Sequence, residues 1–130
     1  MQEGYKMKNS NLVLNERDSF MDNDFFRTDI NGLASIFSNE DFSVSEICIV
    51  LDLLANEANK DTFILNINYK TIMATYNKSK DYSVKLITKM KNHNIIKSAI
   101  CNYMVNPSLI SRFSISIDDL NQKIDKFKLL

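Results

Sequence analysis

With 130 residues, 45% apolar and 25% charged, the chain has the make-up of one globular domain, and wholesale disorder is excluded. Two glycines and one proline are too few for Rossmann, P-loop or β-sandwich folds, and point to helices joined by short turns. The formal net charge of zero is a cancellation: residues 1–59 hold eleven acidic side chains against four basic ones, whereas residues 60–112 hold nine basic ones against only Asp61 and Asp81. A stretch so basic attracts polyanions whatever the overall charge. The longest apolar runs are only a few residues and the polar first ten residues lack a signal-peptide core, so a cytoplasmic protein with no membrane span is expected.

Residues 1–22 show no sustained period and are expected to be a flexible arm, with a short edge strand at 12–14 as an alternative. Residues 21–26 are acidic with two phenylalanines, suited to loose docking on the domain. Ile30, Leu33, Ala34 and Phe37 recur at helical spacing. Ser43-Val44-Ser45-Glu46 is a capping box, and behind it Val44, Ile47, Cys48, Leu51, Leu54, Ala55 and Ala58 make the apolar stripe of a central helix over 43–59. Phe63, Leu65 and Ile67 alternate, predicting a short strand over 62–67.

Asn68 caps a helix over 69–76 that turns Ile72, Met73 and Tyr76 inward. Asn77-Lys78-Ser79 makes a tight turn, since Asn tolerates the left-handed conformation and Ser79 caps the next helix. That second helix, over 80–92, turns Leu86, Ile87 and Met90 inward and ends at His93-Asn94. Ile95-Ile96 and residues 101–105 then predict two strands joined by a turn near Ser98-Ala99, closed by Asn106-Pro107. Helix, helix, strand, helix, tight turn, helix, hairpin is the order of a winged helix-turn-helix domain, a mainly α fold with a small β-wing (α+β), placed over residues 23–113. Residues 114–130 predict a C-terminal helix opened by Ser116, Asp118 and Asp119, with Ile117, Leu120, Ile124, Phe127 and Leu130 as its stripe. That stripe either packs on its own domain or pairs two copies into a homodimer through Ile117, Leu120, Ile124 and Phe127.

On the helix over 80–92, Asp81, Lys85, Thr88, Lys89 and Asn92 share the face opposite the apolar one. Lys, Thr and Asn are donors a major groove can use, and Ser79, Lys80 and Ser83 stand at the helix start, nearest the bases. Lys70, Lys78 and Lys97 suit phosphate contacts, and Arg112 joins the DNA-binding set. The bland alternative is a solvated lysine face produced by codon bias, since Asn, Ile and Lys make up about a third of the chain.

Catalysis is not expected. Cys48 and Cys101 fall in apolar patterns, as reduced core thiols, and His93 sits at a helix end, so no nucleophilic pair is apparent. Two Cys and one His at these spacings match no zinc site, and Asp22-Asn23-Asp24 lacks the glutamate of a calcium loop. No cofactor, metal or small-molecule substrate is implied.

Asn94-Ile95-Ile96-Lys97, followed by Met104-Val105-Asn106-Pro107-Ser108-Leu109-Ile110-Ser111-Arg112, resembles the RepL family of plasmid replication initiators across residues 62–112. The chain departs from that family's pattern at Asn77 and His93, where glycines are usual, and at Ser98 and Ala99, where basic residues are usual. The resemblance implies binding to a plasmid or phage origin as double-stranded DNA and recruitment of host replication proteins, with no nuclease or polymerase activity. The alternative is a winged-helix transcriptional regulator or a partition-type adaptor.

Overall fold

The computed structural model describes residues 26–38 and 41–130. The arm expected over residues 1–22, the edge strand at 12–14 and all but Phe26 of the acidic docking segment lie outside the described residues. The architecture is mixed α+β, with helices predominating.

Strand β1 (Phe26–Thr28) pairs antiparallel with β5 (Ile110–Arg112), Arg27 opposite Ser111. Asp29 accepts from the Gly32 N–H and caps α1 (Ile30–Phe37). A Cβ at position 32 would meet Asp29 Oδ2 at 2.5 Å and Leu109 Cδ2 at 3.2 Å, so a side chain there would displace the capping carboxylate. The inner face of α1 is Leu33 with Ile36 and Phe37; Ile30 and Ala34, expected inside, are exposed.

The Ser43–Glu46 capping box opens α2 (Val44–Asp52) as expected: the Ser43 N–H donates to Glu46 Oε1 at 2.8 Å and the Glu46 N–H to Ser43 Oγ at 3.2 Å. The buried face, however, is Glu46, Ile49, Val50, Leu53 and Leu54, while Val44, Cys48 and Leu51 face solvent. The apolar residues run almost round this helix, so periodicity alone does not choose a face; pairing of Glu46 with Lys89 does. A π-helical turn, Leu53–Glu57, closes the element and brings Leu53, Leu54 and Ala58 into the core together. Lys60 donates to the Ala55 and Ala58 carbonyls at its end, and burial lowers the Lys60 pKa.

Strand β2 (Ile64–Leu65) lies beside β4 (Asn102–Val105), which also pairs with β3 (Ile96–Ala99), giving the order β2–β4–β3. The sheet separates two layers. Leu65, Ile96 and Val105 join the helices α1, α2, α3 (Tyr69–Tyr76) and α4 (Lys80–Asn92) in the main core. Met104 joins Phe63, Ile115 and Phe127 beneath α5 (Ile117–Leu129). Phe63 does not share a face with Leu65 as alternation predicted. Its φ of +62°, a strained value for an aromatic residue, turns it to the α5 layer. The β3–β4 turn falls at Ile100–Cys101, two residues later than expected, with Cys101 at φ +65°. Both cysteines are exposed, a correction to their expected place in the core.

Candidate nucleic-acid interface

The α3–turn–α4 unit is built from local signals. Asn68 caps α3 with a box to Thr71, and Ile72 anchors the helix in the core. Asn77 takes the left-handed conformation (φ 55°, ψ 54°) that reverses the chain, and the Ser79 hydroxyl accepts from the Tyr82 N–H to start α4. Leu86, Ile87 and Met90 hold α4 in the core, leaving Asp81, Val84, Lys85, Thr88 and Asn92 as one exposed face.

The edges of α4 differ. On one, Tyr82 meets Ser45 (hydroxyl oxygens 2.8 Å apart), and Lys89 donates to both oxygens of the buried Glu46 at 2.8 and 2.9 Å. Burial raises the Glu46 pKa, but the Lys89 ammonium and the Ser43 N–H outweigh it and hold the carboxyl below its ordinary value. On the other edge Lys80 and Lys91 are exposed.

Aromatic rings orient three ammonium groups: Lys78 lies 4.9 Å from the Tyr82 ring centroid, Lys80 5.2 Å from Tyr69, and Lys91 5.8 Å from Tyr103. A ring steadies a cation without cancelling its charge. Lys70 is exposed on α3. Among the described residues, Lys70, Lys78, Lys80 and Lys91 have no carboxylate within ion-pair distance. The unit therefore presents four uncompensated positive charges.

The other expected contact residues fare differently. Ser83 is fully buried and its hydroxyl donates to the Ser79 carbonyl at 2.8 Å, so it faces the core and not a base. Ser79 is exposed, but its oxygen is engaged as the cap. Thr88 is exposed with its hydroxyl donating to the Val84 carbonyl at 3.1 Å, and Lys85 pairs with Asp81 at 3.1 Å on the surface. Lys89 is bound to Glu46. Lys97 lies 4.8 Å from the Phe127 centroid and donates to the Phe127 carbonyl, tying β3 to α5. Arg112 pairs with Asp61 at 2.9 Å, on β5. Lys91 and Val84 were not anticipated; the signal for Lys91 was its position three turns beyond Lys80 on the same helix edge.

Of the expected dimer residues, Phe127 is buried in its own chain, and Leu120 and Ile124 are half-buried, while Ile117 remains 67% exposed. Phe127 is therefore a core residue and no part of a free seam. His93 pairs with Asp41 at 3.0 Å and tilts against the Phe42 ring. Among the described residues there is no group of three His, Cys, Asp or Glu that could hold a metal ion, and no helix is long and apolar enough to cross a membrane. The segments carrying the RepL resemblance touch: the Asn106 N–H donates to the Ile95 carbonyl at 2.9 Å and its side-chain amide to the Asn94 carbonyl at 3.1 Å.

No family model, curated protein or solved structure matches the chain.

Proposed function

We propose that this chain is a sequence-specific double-stranded DNA-binding protein of the winged helix-turn-helix type, with α4 entering the major groove and the β3–β4 hairpin serving as the wing. The observation that carries this reading is the set of four lysines, Lys70, Lys78, Lys80 and Lys91, left without carboxylate partners among the described residues on α3, the turn and α4. The strand order β2–β4–β3 around that unit supports it, because a hairpin following the second helix and backed by an earlier strand is the frame of a wing. The role is binding and not catalysis, in the cytoplasm, and a second copy pairs through the uncovered part of α5 around Ile117.

Within that class we favour a replication initiator acting at a plasmid or phage origin and recruiting host replication proteins. The support is the sequence resemblance at residues 94–97 and 104–112, whose two segments lock the end of α4 to the end of the hairpin.

Salt titration tests the binding. About four neutralised phosphates give a slope of log K against log salt near −3 to −4. A flat response refutes the reading. Initiation is tested by asking whether the gene maintains a plasmid deprived of its own initiator; salt-dependent binding without maintenance favours a regulator or partition adaptor.

A further inference from the structure

We propose that α4 recognises thymine through its 5-methyl group, with Val84 and Thr88 as the contact residues. The inference rests on the DNA-binding reading above and goes beyond it by naming what the helix detects.

The exposed face of α4 carries few groups free to hydrogen-bond a base. Ser83 is buried, the Ser79 oxygen caps the helix, and the Thr88 hydroxyl is committed to the Val84 carbonyl. Lys85 is drawn to Asp81, one turn before it. The middle of the face is then largely apolar: Val84, 42% exposed, and one turn later Thr88, whose hydroxyl proton is given to its own backbone while its methyl stays available. Valine gains nothing there from helix propensity.

The thymine 5-methyl is the apolar feature that a major groove presents, and valine or threonine methyls are matched to it. The flanking charges fit the same occupant, because Lys80 and Lys91 edge this ridge with uncompensated ammonium groups placed for a phosphate backbone. Residues one turn apart lie about 6 Å apart along the axis. For a helix lying along the groove that is close to two steps of roughly 3.4 Å on one strand. The ridge thus suits thymines about two steps apart, and Asn92 on the same face suits an adenine.

The experiment uses the full chain and a random pool of DNA duplexes. Bound duplexes are selected, and one is resynthesised with deoxyuridine replacing thymidine, which removes only the methyl. Each contacted methyl removed should weaken binding about fourfold. The penalty should shrink in Val84→Ala and in Thr88→Ser, which keeps the hydroxyl and deletes the methyl; it should persist in Lys85→Ala. Both ridge residues are exposed, and thermal melts are the check that these variants fold. Equal affinity for thymidine and deoxyuridine duplexes overturns the inference while leaving DNA binding intact, as does a penalty that both ridge variants retain in full. If no duplex binds in a salt-dependent way, the DNA-binding reading itself falls and this inference with it.

Discussion

Two groups of cations, Lys78, Lys80 and Lys91 in the α3–turn–α4 unit and Lys97 and Arg112 beside α5, look alike in sequence and are used in opposite ways. Lys78, Lys80 and Lys91 rest on tyrosine rings with no carboxylate of the described residues within ion-pair distance, so their charge remains available at the surface. Lys97 spends its donor on the Phe127 carbonyl, and Arg112 is tied to Asp61. Lys60 and Lys89, on the helical side of the sheet, are likewise bound internally. The difference shows that a run of positive charge in a sequence overstates the field a surface presents. A cation already tied to an internal partner is less available to neutralise a phosphate.

The largest effect expected from breaking this comparison is on the α5 side. Phe127 closes the second face of the sheet, so Phe127→Ala should cost about 3–4 kcal/mol in urea unfolding. Ile117→Ala, on the same helix but 67% exposed, should change monomer stability by less than about 0.5 kcal/mol. If the chain dimerises around Ile117, that variant should instead shift the sedimentation profile toward monomer. Equal stability losses in the two variants would refute the layered packing.

A smaller effect is expected at the joint between α2 and α4. Lys89→Met strands the Glu46 carboxylate, whose side chain is only 7% exposed. Lys89 itself is 32% exposed, so the loss should be about 2 kcal/mol, below that for a fully buried pair. Adding Glu46→Leu to Lys89→Met should restore most of it. The pH dependence is set by the sign of the Glu46 shift. Its folded-state pKa is lowered, so it stabilises the protein fully above the unfolded carboxyl value near 4.3, and this contribution is lost as pH falls through the lower folded value. In Lys89→Met burial is opposed only by Ser43, and the acid loss from this group should shrink or reverse. Denaturant melts between pH 6 and about pH 3 check both signs.

The same joint explains where the sequence was legible. Caps and turns were readable because they are local: Ser43 with Glu46, Asn68, Asn77 and Ser79 each act within four residues. The buried face of α2 was not, because it is centred on a glutamate that tolerates burial only through Lys89, 43 residues away. Alternation failed at Phe63, where one positive φ moved the ring across the sheet. The β1–β5 ribbon was invisible because three-residue strands far apart in the chain carry too little pattern. At the candidate interface the two helices and most of the exposed face of α4 (Asp81, Lys85, Thr88 and Asn92) were legible. Which of Lys89, Lys97 and Arg112 had internal partners was not, since that depends on Glu46, Phe127 and Asp61, which sit on other elements.

The finest test separates the two lysine classes directly, through DNA affinity and stability measured on the same variants. Lys80→Ala and Lys91→Ala each remove a charge with no carboxylate partner among the described residues, so each should reduce the magnitude of the salt slope by about 0.9. Neither should change unfolding stability by more than about 0.5 kcal/mol, since both residues are exposed. Lys97→Ala removes a ring contact and a hydrogen bond that join β3 to α5, so it should cost about 1 kcal/mol of stability and leave the slope unchanged. If Lys97→Ala lowers the slope as much as Lys80→Ala, the hairpin reaches the backbone with its own lysine, and the tie to Phe127 yields when DNA binds. If Lys80→Ala and Lys91→Ala leave the slope untouched while DNA still binds, the phosphates lie against another face, and α4 is not the helix in the groove.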